Sequence, residues 1–390
     1  MKKVVIVGGG PSGLMVAHQL VKSNLEADIT ILDANNAVGR KFLVAGHGGF
    51  NLSNNKKLAD FVAEYNHSYV KDAVSQFTND DTVGWLDEIG IETYIGSSGK
   101  LFPKVGIKPI QVLNAWLHYL TVGGVKILTK HKVVDYNDDQ VSVQFSDDRI
   151  TLPFDYLIFA VGGCSWKSTG SNGLWTSMFA NKGVVLIPFQ SSNSGIEIYG
   201  WKSELGGTVL KNIKISKGDE SRFGDVVLTD YGIEGAPVYA LSNAFRKGNE
   251  SLVLDFKPTL SSNAIYERFK SFNGSKSEFL KSIKISKEAI VLMKQFSSKE
   301  DFNCDSSFLK MIQCFPLKAS SLRPIDEVIS TVGGVDMDDI DQQFKFRSQK
   351  QVYCVGEMLD WDAPTGGYLL QGCFATAFVA AKDIIDQMKD

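Results

Sequence analysis

The segment Val4-Val5-Ile6-Val7-Gly8-Gly9-Gly10-Pro11-Ser12-Gly13 decides the fold of this chain. Its four apolar residues predict a buried strand, and the run from Leu14 to Val21 has the apolar spacing of a helix. Between them, Gly8, Gly10 and Gly13 have the G-x-G-x-x-G spacing that a dinucleotide pyrophosphate requires. The first glycine permits a tight turn, the second leaves room for phosphate, and the third lets helix and strand pack closely. The segment therefore predicts an anion cradle at a helix N-terminus.

A second strand supports this interpretation. Asp28 to Leu32 is apolar and ends in Asp33, about 20 residues after Gly13, where an acidic side chain binds the adenosine ribose hydroxyls. An ordinary glycine-rich loop is the alternative, but strand, turn, helix and acid all agree with a dinucleotide site. We therefore predict that the cofactor is bound by Gly8, Gly10, Pro11, Ser12, Gly13 and Asp33.

Composition and charge argue against several classes of function. The formal net charge is -3, and the basic residues are scattered, so no nucleic-acid partner is expected on a broad basic face. The 5 cysteines include no C-x-x-C pair and are odd in number, which indicates neither a disulfide framework nor a zinc site. Glycines and a proline interrupt the first apolar run, so a signal peptide is not expected, and no run approaches the ~20 apolar residues of a membrane span. We expect a soluble cytoplasmic protein without a metal or a membrane partner.

The pattern along the 390 residues changes twice, which predicts an interrupted α/β domain. Residues 1–188 alternate strands with helices, and residues 336–390 contain a strand, a Gly-Glu turn and a long helix that resemble a return to the same domain. Residues 189–257 and 315–335 are β-rich and predict a separate sheet or barrel. Residues 258–314 are rich in Lys and Ser, with apolar residues at helical spacing, and predict a small helical insert.

Segments beyond the cradle resemble the signature of the glutathione-reductase-like FAD proteins. These segments are Val38-Gly39-Arg40-Lys41, the strand and turn Tyr156 to Gly163, and Val355-Gly356-Glu357. Longer runs are similar to one bacterial flavoprotein family, the aminoacetone-oxidase-like or NAD(P)/FAD-dependent oxidoreductases. They cover residues 39–53, 96–104, 162–173, 323–335 and 356–368. Only the helical insert carries no recognisable motif.

The resemblance implies an α/β fold of three parts. They are a glutathione-reductase-like FAD-binding Rossmann domain, an inserted β-barrel-like domain, and a small helical domain inserted in the barrel. In the better known branch of the family, the first long run ends in Gly-Arg-Cys-Asn, whereas this chain has Gly48-Gly49-Phe50-Asn51. No cysteine chemistry is therefore carried over. The Glu-Met-Leu-Asp-Trp run beginning at Glu357 marks a sister branch without an established substrate.

Further cofactor contacts are implied by the same resemblance. Arg40 and Lys41 are expected to lie along the FAD phosphates and ribityl chain; the alternative is a solvated basic pair on a loop. Glu357 is expected to accept hydrogen bonds from the ribityl hydroxyls; the alternative is a surface carboxylate. The last helix points its first N–H groups at the flavin N1 and C2 carbonyl, where they favour the reduced anion. The remaining contacts implied are the backbone of Val133 at the adenine, the turns at Ala160, Gly162 and Gly356, and the helix entry Pro364, Gly366, Gly367 and Tyr368.

Three residues are candidates for catalysis: His47, Tyr368 and Lys100. His47 titrates near neutrality among glycines, although a lone histidine is more often structural. The expected enzyme is an FAD-dependent oxidoreductase that transfers a hydride between flavin N5 and a small organic substrate. No second glycine motif follows a strand, so either O2 reoxidises the flavin or NAD(P)H binds transiently. Alternatives are an NAD(P)H-dependent reductase of a conjugated alkene, a flavin-dependent RNA-modifying enzyme, and a non-catalytic flavin-binding redox sensor.

Overall fold

The computed structural model of the protein describes residues 1–44, 49–248 and 251–389. The strands in this part of the chain are β1 (Lys2–Val7), β2 (Ala27–Asp33), β3 (Ser53–Asn54), β4 (Thr93–Ile95), β5 (Lys100–Pro103), β6 (Lys126–Thr129), β7 (His131–Tyr136), β8 (Gln140–Phe145), β9 (Asp148–Pro153), β10 (Tyr156–Phe159), β11 (Leu186–Ser192), β12 (Ile196–Ile198), β13 (Thr208–Lys217), β14 (Glu220–Leu228), β15 (Gly232–Glu234), β16 (Ser251–Asp255), β17 (Phe315–Leu322), β18 (Ser330–Val335) and β19 (Val352–Cys354). The α-helices are α1 (Pro11–Lys22), α2 (Arg40–Val44), α3 (Leu58–Val62), α4 (Ser68–Gln76), α5 (Asn79–Glu88), α6 (Pro109–Val122), α7 (Thr176–Ala180), α8 (Ala236–Tyr239), α9 (Ser242–Arg246), α10 (Ser262–Lys270), α11 (Lys276–Ser282), α12 (Lys287–Phe296), α13 (Lys299–Asn303), α14 (Asp305–Gln313) and α15 (Tyr368–Lys389).

The chain divides into two compact units. The first unit combines Met1–Gln190 with Ser330–Asp390, and the second consists of Ser191–Ile329. Both ends of the chain therefore belong to the same unit, as the return of the C-terminal pattern predicts.

A parallel sheet forms the centre of the first unit, with the strand order β19-β10-β1-β2-β6. In β1, Val4 is paired with Ile29 on one side and with Tyr156 on the other. Val4 and Ile6 are fully buried, as expected for a strand whose two faces are both covered. Because the strands are parallel, their carboxyl ends meet at one edge, which is where such sheets bind ligands.

The C-terminal helix α15 lies in the hydrophobic core of the first unit and packs against α1. Its length and apolar composition would also suit a membrane span, but 61% of its most apolar window is buried in the fold. The burial of Phe374 and Ala377 identifies α15 as a core helix of the first unit.

Smaller sheets complete the first unit. Strands β3, β5 and β4 form an antiparallel sheet, β7, β8 and β9 form a second one, and β11 pairs with β18. The backbone N–H of Lys130 donates to the Asn35 carbonyl at 2.7 Å, so the β7 hairpin begins beside the end of β2. This contact matters for the site because Asn35 follows Asp33.

The second unit contains a closed barrel in the order β12-β15-β14-β13-β16-β17. Its interior is aliphatic, and Ile215, Val226 and Leu254 are fully buried. Helices α10 to α14 follow β16, and their buried residues, among them Phe279 and Leu292, join the same hydrophobic cluster. The helices therefore follow in the predicted order, but they share one compact unit with the barrel and do not form a separate third domain.

One boundary differs from the sequence-based expectation. Residues 315–335 were expected to belong to the β-rich domain, but only β17 is a barrel strand. Strand β18 pairs with β11 and lies in the first unit, so the boundary falls at residues 329 and 330. The segment Ser330–Val335 is β-rich in both cases, and composition does not reveal which sheet a strand joins.

Candidate functional site

The glycine cradle lies at the carboxyl end of β1, and its three glycines have different reasons to be glycine. A Cβ on Gly8 would lie 2.3 Å from the Ala160 carbonyl oxygen, and its φ of +105° is strained for other residues. A Cβ on Gly13 would lie 2.0 Å from the Gly8 oxygen. At Gly10 the Cβ would meet no described atom within 4 Å. Close packing of the backbone therefore requires glycine at positions 8 and 13, whereas Gly10 faces open space.

Helix α1 begins at this open position. Gly10 is its N-cap and provides no side-chain hydrogen bond, and Pro11 occupies the first helical turn. A helix start without a side-chain cap leaves N–H groups for an anion, and the helix dipole favours negative charge there. The space beside Gly10 together with this helix start fits a pyrophosphate.

Asp33 forms one side of the cradle at the end of β2. Its Oδ2 accepts the Gly9 backbone N–H at 2.9 Å, and its Oδ1 accepts the backbone N–H and Nδ2 of Asn35 at 2.8 and 3.0 Å. Asn35 Oδ1 in turn accepts from Arg40 Nη1 at 3.2 Å. Asp33, which is predicted to bind the ribose, is thus held against the glycine loop. Arg40 is linked to Asp33 through Asn35.

Lys41 and Glu357 form an ion pair on the other side of the cradle. Lys41 Nζ lies 2.6 Å from Glu357 Oε2 and also donates to Ser165 Oγ at 2.9 Å and Ser171 Oγ at 3.4 Å. Glu357 Oε1 accepts the Thr331 backbone N–H at 3.2 Å. The two side chains are only 25% and 17% exposed, so their charge-assisted bonds are weakly screened. This pair joins loops that follow β2, β10 and β19.

The Gly356 turn packs directly against the start of α1. A Cβ on Gly356, whose φ is +80°, would lie 2.2 Å from Ser12 Oγ. Cys373 of α15 is nearby and partly buried, and burial raises the pKa of its thiol to about 12. A raised pKa keeps a thiol protonated near neutral pH, which disfavours its action as a nucleophile.

The entry to α15 is a second glycine loop. Gly366 and Gly367 have φ values of +105° and +101°, and a Cβ on Gly367 would lie 2.4 Å from the Ser53 backbone. Asn54 Nδ2 donates to the Gly366 carbonyl at 3.4 Å, and Lys100 Cε lies 3.5 Å from the position of a Gly366 Cβ. Lys100 therefore lies beside the predicted flavin loop, where its charge adds to the positive end of the helix.

A buried glutamine fixes this entry in place. Gln371 Oε1 accepts from Ser53 Oγ and Thr82 Oγ1, each at 2.7 Å. Its Nε2 donates to the carbonyls of Phe77 and Thr78 at 2.7 and 2.9 Å. One side chain thus links α15 with the segments around β3 and α5.

Tyr368 is the first residue of α15 and is buried. Its side chain is 3% exposed and stacks on Phe61 with ring centroids 4.6 Å apart. Its carbonyl accepts the Tyr65 hydroxyl at 2.7 Å, and burial raises the pKa of the Tyr368 hydroxyl. The ring of Tyr368 therefore lies in the core at the first turn of α15, its hydroxyl has no hydrogen-bond partner among the described residues, and its role as a catalytic hydrogen-bond donor stays a prediction.

The remaining predicted residues are placed as follows. His47 lies outside the described residues. Val133 is in β7, three residues after the contact between Lys130 and Asn35. The Ala160 N–H donates to the Val7 carbonyl at 2.8 Å, and the Gly162 carbonyl accepts from Trp175 Nε1 at 3.0 Å, so both lie at the sheet edge. Pro364 precedes the paired glycines of the α15 entry.

The site also contains polar residues to which the sequence assigned no role. Ser165 and Ser171 contact Lys41, Thr331 contacts Glu357, and Asn35 contacts Asp33. Ser165, Ser171 and Thr331 lie in runs that carry the family resemblance, which is the one sequence signal that could have indicated them. The contacts of the two serines with Lys41 join positions 124 and 130 residues apart and have no local pattern.

These elements define a class of protein. A parallel sheet with a glycine cradle at its carboxyl edge, and a C-terminal segment that returns to that edge, is a dinucleotide-binding Rossmann fold. The family model described as the HI0933-like protein Rossmann domain matches residues 2–383, so the chain belongs to this family. Membership supports the flavoprotein resemblance, while the finer aminoacetone-oxidase-like assignment stays a prediction.

Characterised relatives match over nearly their full length. The 3-dehydro-bile acid delta(4,6)-reductase of Clostridium scindens is 23% identical over 98% of both chains. The ribosomal RNA dihydrouridine synthase of Haemophilus influenzae is 25% identical over 98% of both chains. Among solved structures, the open conformation of a flavocytochrome c3 fumarate reductase superimposes with a TM-score of 0.55 at 14% identity, covering 100% of this chain and 79% of the other. That similarity shows a shared fold.

Proposed function

We propose that the protein is an FAD-dependent reductase of a carbon–carbon double bond conjugated with a carbonyl group. The observation that carries the proposal is the cradle, where open space at Gly10 adjoins a helix start and is bordered by Asp33 and Glu357. The paired glycines at the entry to α15 supply a second helix start for the isoalloxazine end. Family membership and the flavoenzyme fold support the same cofactor.

The residues of the cradle have distinct parts in holding FAD. The α1 N-terminus and Gly10 would hold the pyrophosphate, Asp33 the adenosine ribose, and Glu357 the ribityl chain. Lys41 compensates the Glu357 charge, so that the groove does not repel a dianionic cofactor. Lys100 and the α15 N-terminus add positive charge at the Gly366 loop, which favours an anion there.

The reaction type is supported by the relatives. Bound FAD supplies hydride exchange at N5, and the protein supplies binding, orientation and charge. A delta(4,6)-reductase of 3-dehydro-bile acids acts on double bonds conjugated with an oxo group, and dihydrouridine differs from uridine by saturation of a bond conjugated with a carbonyl. Because both names describe saturation of an activated alkene, reduction is favoured over the oxidase alternative.

NAD(P)H is proposed as the electron donor. A reductase needs a source of hydride, and the second unit is a barrel with helices, so the described residues contain one parallel dinucleotide-type sheet. The nicotinamide would therefore bind at the flavin transiently, without a Rossmann domain of its own.

RNA is a second candidate substrate, favoured by the match to ribosomal RNA dihydrouridine synthase. The formal net charge of -3 argues against it, since RNA binding relies on contacts between basic residues and phosphates. The small-molecule enone therefore remains the first candidate.

Anaerobic single-turnover spectroscopy tests the proposal. The purified protein should carry a yellow chromophore that is released as FAD and is bleached by NADH or NADPH. The bleached protein is then mixed with a 4-ene-3-oxo steroid, with cyclohexenone, or with unmodified ribosomal RNA. Rapid recovery of colour with an enone supports the proposal, and recovery with RNA alone supports the second candidate. Bleaching by an amine substrate and recovery only with O2 would identify an oxidase and overturn the proposal.

A further inference from the structure

Residues 163–173, here called the strap, form a loop to which the proposed function assigns no role. The strap leaves the carboxyl end of β10 and leads toward α7. Near its start, a Cβ on Gly163 would lie 2.1 Å from Thr331 Oγ1 and 3.2 Å from Glu357 Cδ. Near its end, a Cβ on Gly170 would lie 2.3 Å from Asn35 Nδ2. The strap thus runs from the Glu357 side of the cradle to the Asp33 side.

Lys41 holds the strap by hydrogen bonds at two points. Its ammonium donates to Ser165 Oγ at 2.9 Å and to Ser171 Oγ at 3.4 Å while it is paired with Glu357. The Cys164 backbone N–H donates to Thr331 Oγ1 at 3.2 Å, which adds a further attachment. Since attachments lie at both ends, the middle of the strap is held close to the cradle.

Trp166 lies in that middle part and has an unusual backbone. Its φ and ψ are 60° and 54°, in the left-handed region that bulky residues rarely adopt. The Thr169 backbone N–H and Oγ1 both donate to the Trp166 carbonyl, at 2.8 and 2.7 Å, and hold this conformation. Strained residues of this kind concentrate at ligand sites, where the surrounding structure enforces them.

The fold leaves part of Trp166 in contact with water in spite of this strain. It is 37% exposed, although a tryptophan is among the residues that gain most from burial. A glycine would adopt the same turn without strain. A ligand that covers it would account for a partly exposed tryptophan on a strained turn, in a loop attached to the cradle at both ends.

We propose that Trp166 is a binding residue for the adenosine diphosphate half of the dinucleotide, and that Lys41 is the positioning residue that fixes its strap. The assignment rests on the proposed dinucleotide function, because the strap borders the side that holds Asp33 and Asn35. Indole rings stack on nucleobases and pack against ribose, and such contacts do not depend on the redox state of a flavin. The ligand class is therefore an adenosine diphosphate, free or as part of a larger cofactor.

Tryptophan emission of the apoprotein, titrated with ADP, tests the assignment. ADP does not absorb at the wavelengths of tryptophan emission, so energy transfer to a flavin cannot produce the signal. The wild-type protein should show a saturable change in emission, and Trp166→Phe should lose most of that change while binding ADP with similar affinity. Trp201→Phe is the matched control, since Trp201 donates to the Thr229 carbonyl in the second unit, and it should keep the signal.

Two further variants distinguish binding from a structural role. Trp166→Gly should weaken ADP and FAD binding about tenfold, while its thermal midpoint stays equal to that of wild type or rises, because glycine relieves the left-handed strain. A residue that only stabilised the loop would lower the midpoint instead. Lys41→Met should raise the FAD dissociation rate and reduce the ADP-induced emission change of Trp166.

The possible results separate this inference from the proposed function. If wild-type protein binds FAD and ADP, and Trp166→Gly and Trp166→Phe bind both with unchanged affinity and emission change, the role of Trp166 is wrong and the cofactor assignment stands. If wild-type apoprotein binds neither FAD nor ADP, the proposed function itself fails.

Discussion

The cradle of the first unit and the barrel of the second are built on opposite principles. The cradle gathers charged and polar side chains at a sheet edge, with Lys41 and Glu357 paired at 2.6 Å and largely shielded from water. The barrel interior contains aliphatic residues such as Ile215 and Leu254, both fully buried. Partly buried charges cost free energy that aliphatic packing does not. Their presence in the cradle is consistent with the binding role proposed for it.

Among substitutions that distinguish the cradle from the barrel, we expect the largest effect on FAD affinity at Gly10. Gly10→Val should lower FAD affinity at least about 100-fold, because its side chain would enter the space of the pyrophosphate. The fold should be retained, since Gly10 has φ -81° and no described atom within 4 Å of a Cβ. FAD titration by fluorescence and thermal unfolding monitored by circular dichroism measure the two properties.

Gly13→Val is the matched control for Gly10→Val within the same motif. Its Cβ would lie 2.0 Å from the Gly8 oxygen, so this variant should lose thermal stability as well as FAD. Retention of stoichiometric FAD by Gly10→Val would refute the placement of the phosphates.

A substitution that creates a cavity in the barrel should lower stability and leave FAD affinity unchanged, which is the reverse of the effect expected for Gly10→Val. Leu254→Ala should lower the free energy of unfolding by about 2–5 kcal/mol, as for other buried leucines. It should leave FAD affinity unchanged, because Leu254 lies in the core of the second unit. Urea denaturation and FAD titration measure the two quantities. A loss of FAD affinity equal to that of Gly10→Val would show that the barrel takes part in cofactor binding and would break the comparison.

The ion pair should show energetic coupling in the apoprotein. Lys41→Met leaves the shielded Glu357 carboxylate without its ammonium partner. Glu357→Gln leaves the Lys41 ammonium without its carboxylate partner. The double variant should be more stable than the sum of the two losses predicts, by roughly 1–2 kcal/mol. Chemical denaturation of the four proteins gives this coupling. Strict additivity would mean that the pair contributes no interaction energy and that its shielding from water is incidental.

The smallest expected effect concerns pH and the buried His18 of α1. Burial lowers the pKa of His18 below its ordinary value of 6.5, so below this pH the unfolded chain binds a proton that the folded chain resists. The stability of wild-type protein should therefore decrease as pH falls from about 7 to 5, by a few degrees in thermal midpoint at most. His18→Phe should reduce this slope, whereas the control His118→Gln, at an exposed position, should not. An unchanged slope in His18→Phe would assign the acid sensitivity to other groups.

Local sequence was sufficient for the parts of the site that are close along the chain. The strand, the glycine turn, α1 and Asp33 all lie within the first 33 residues, and each follows from hydrophobic period or glycine spacing. The return of the C-terminal segment to the first domain was also predicted, and β19 indeed pairs with β10. Glycine and strand patterns are local, so a sequence displays them directly.

Side-chain direction and partners could not be predicted in the same way. Tyr368 belongs to a recognisable motif, but the motif does not reveal that its ring stacks on Phe61. Lys41 and Glu357 were each predicted as cofactor contacts, but their mutual ion pair and the serines around Lys41 were not. These contacts depend on three loops that meet only after the sheet has formed.

The sequence by itself determined the dinucleotide class of the fold, the order of its parts and the glycine spacing from which phosphate binding is proposed, because steric and hydrophobic rules act over a few residues. Only the tertiary structure decided that Gly10 faces open space, that Lys41 joins Glu357 to the strap, and that Trp166 is strained beside the cradle. Each of these facts is a distance between segments far apart in the chain, and such distances are set by the packing of the whole unit.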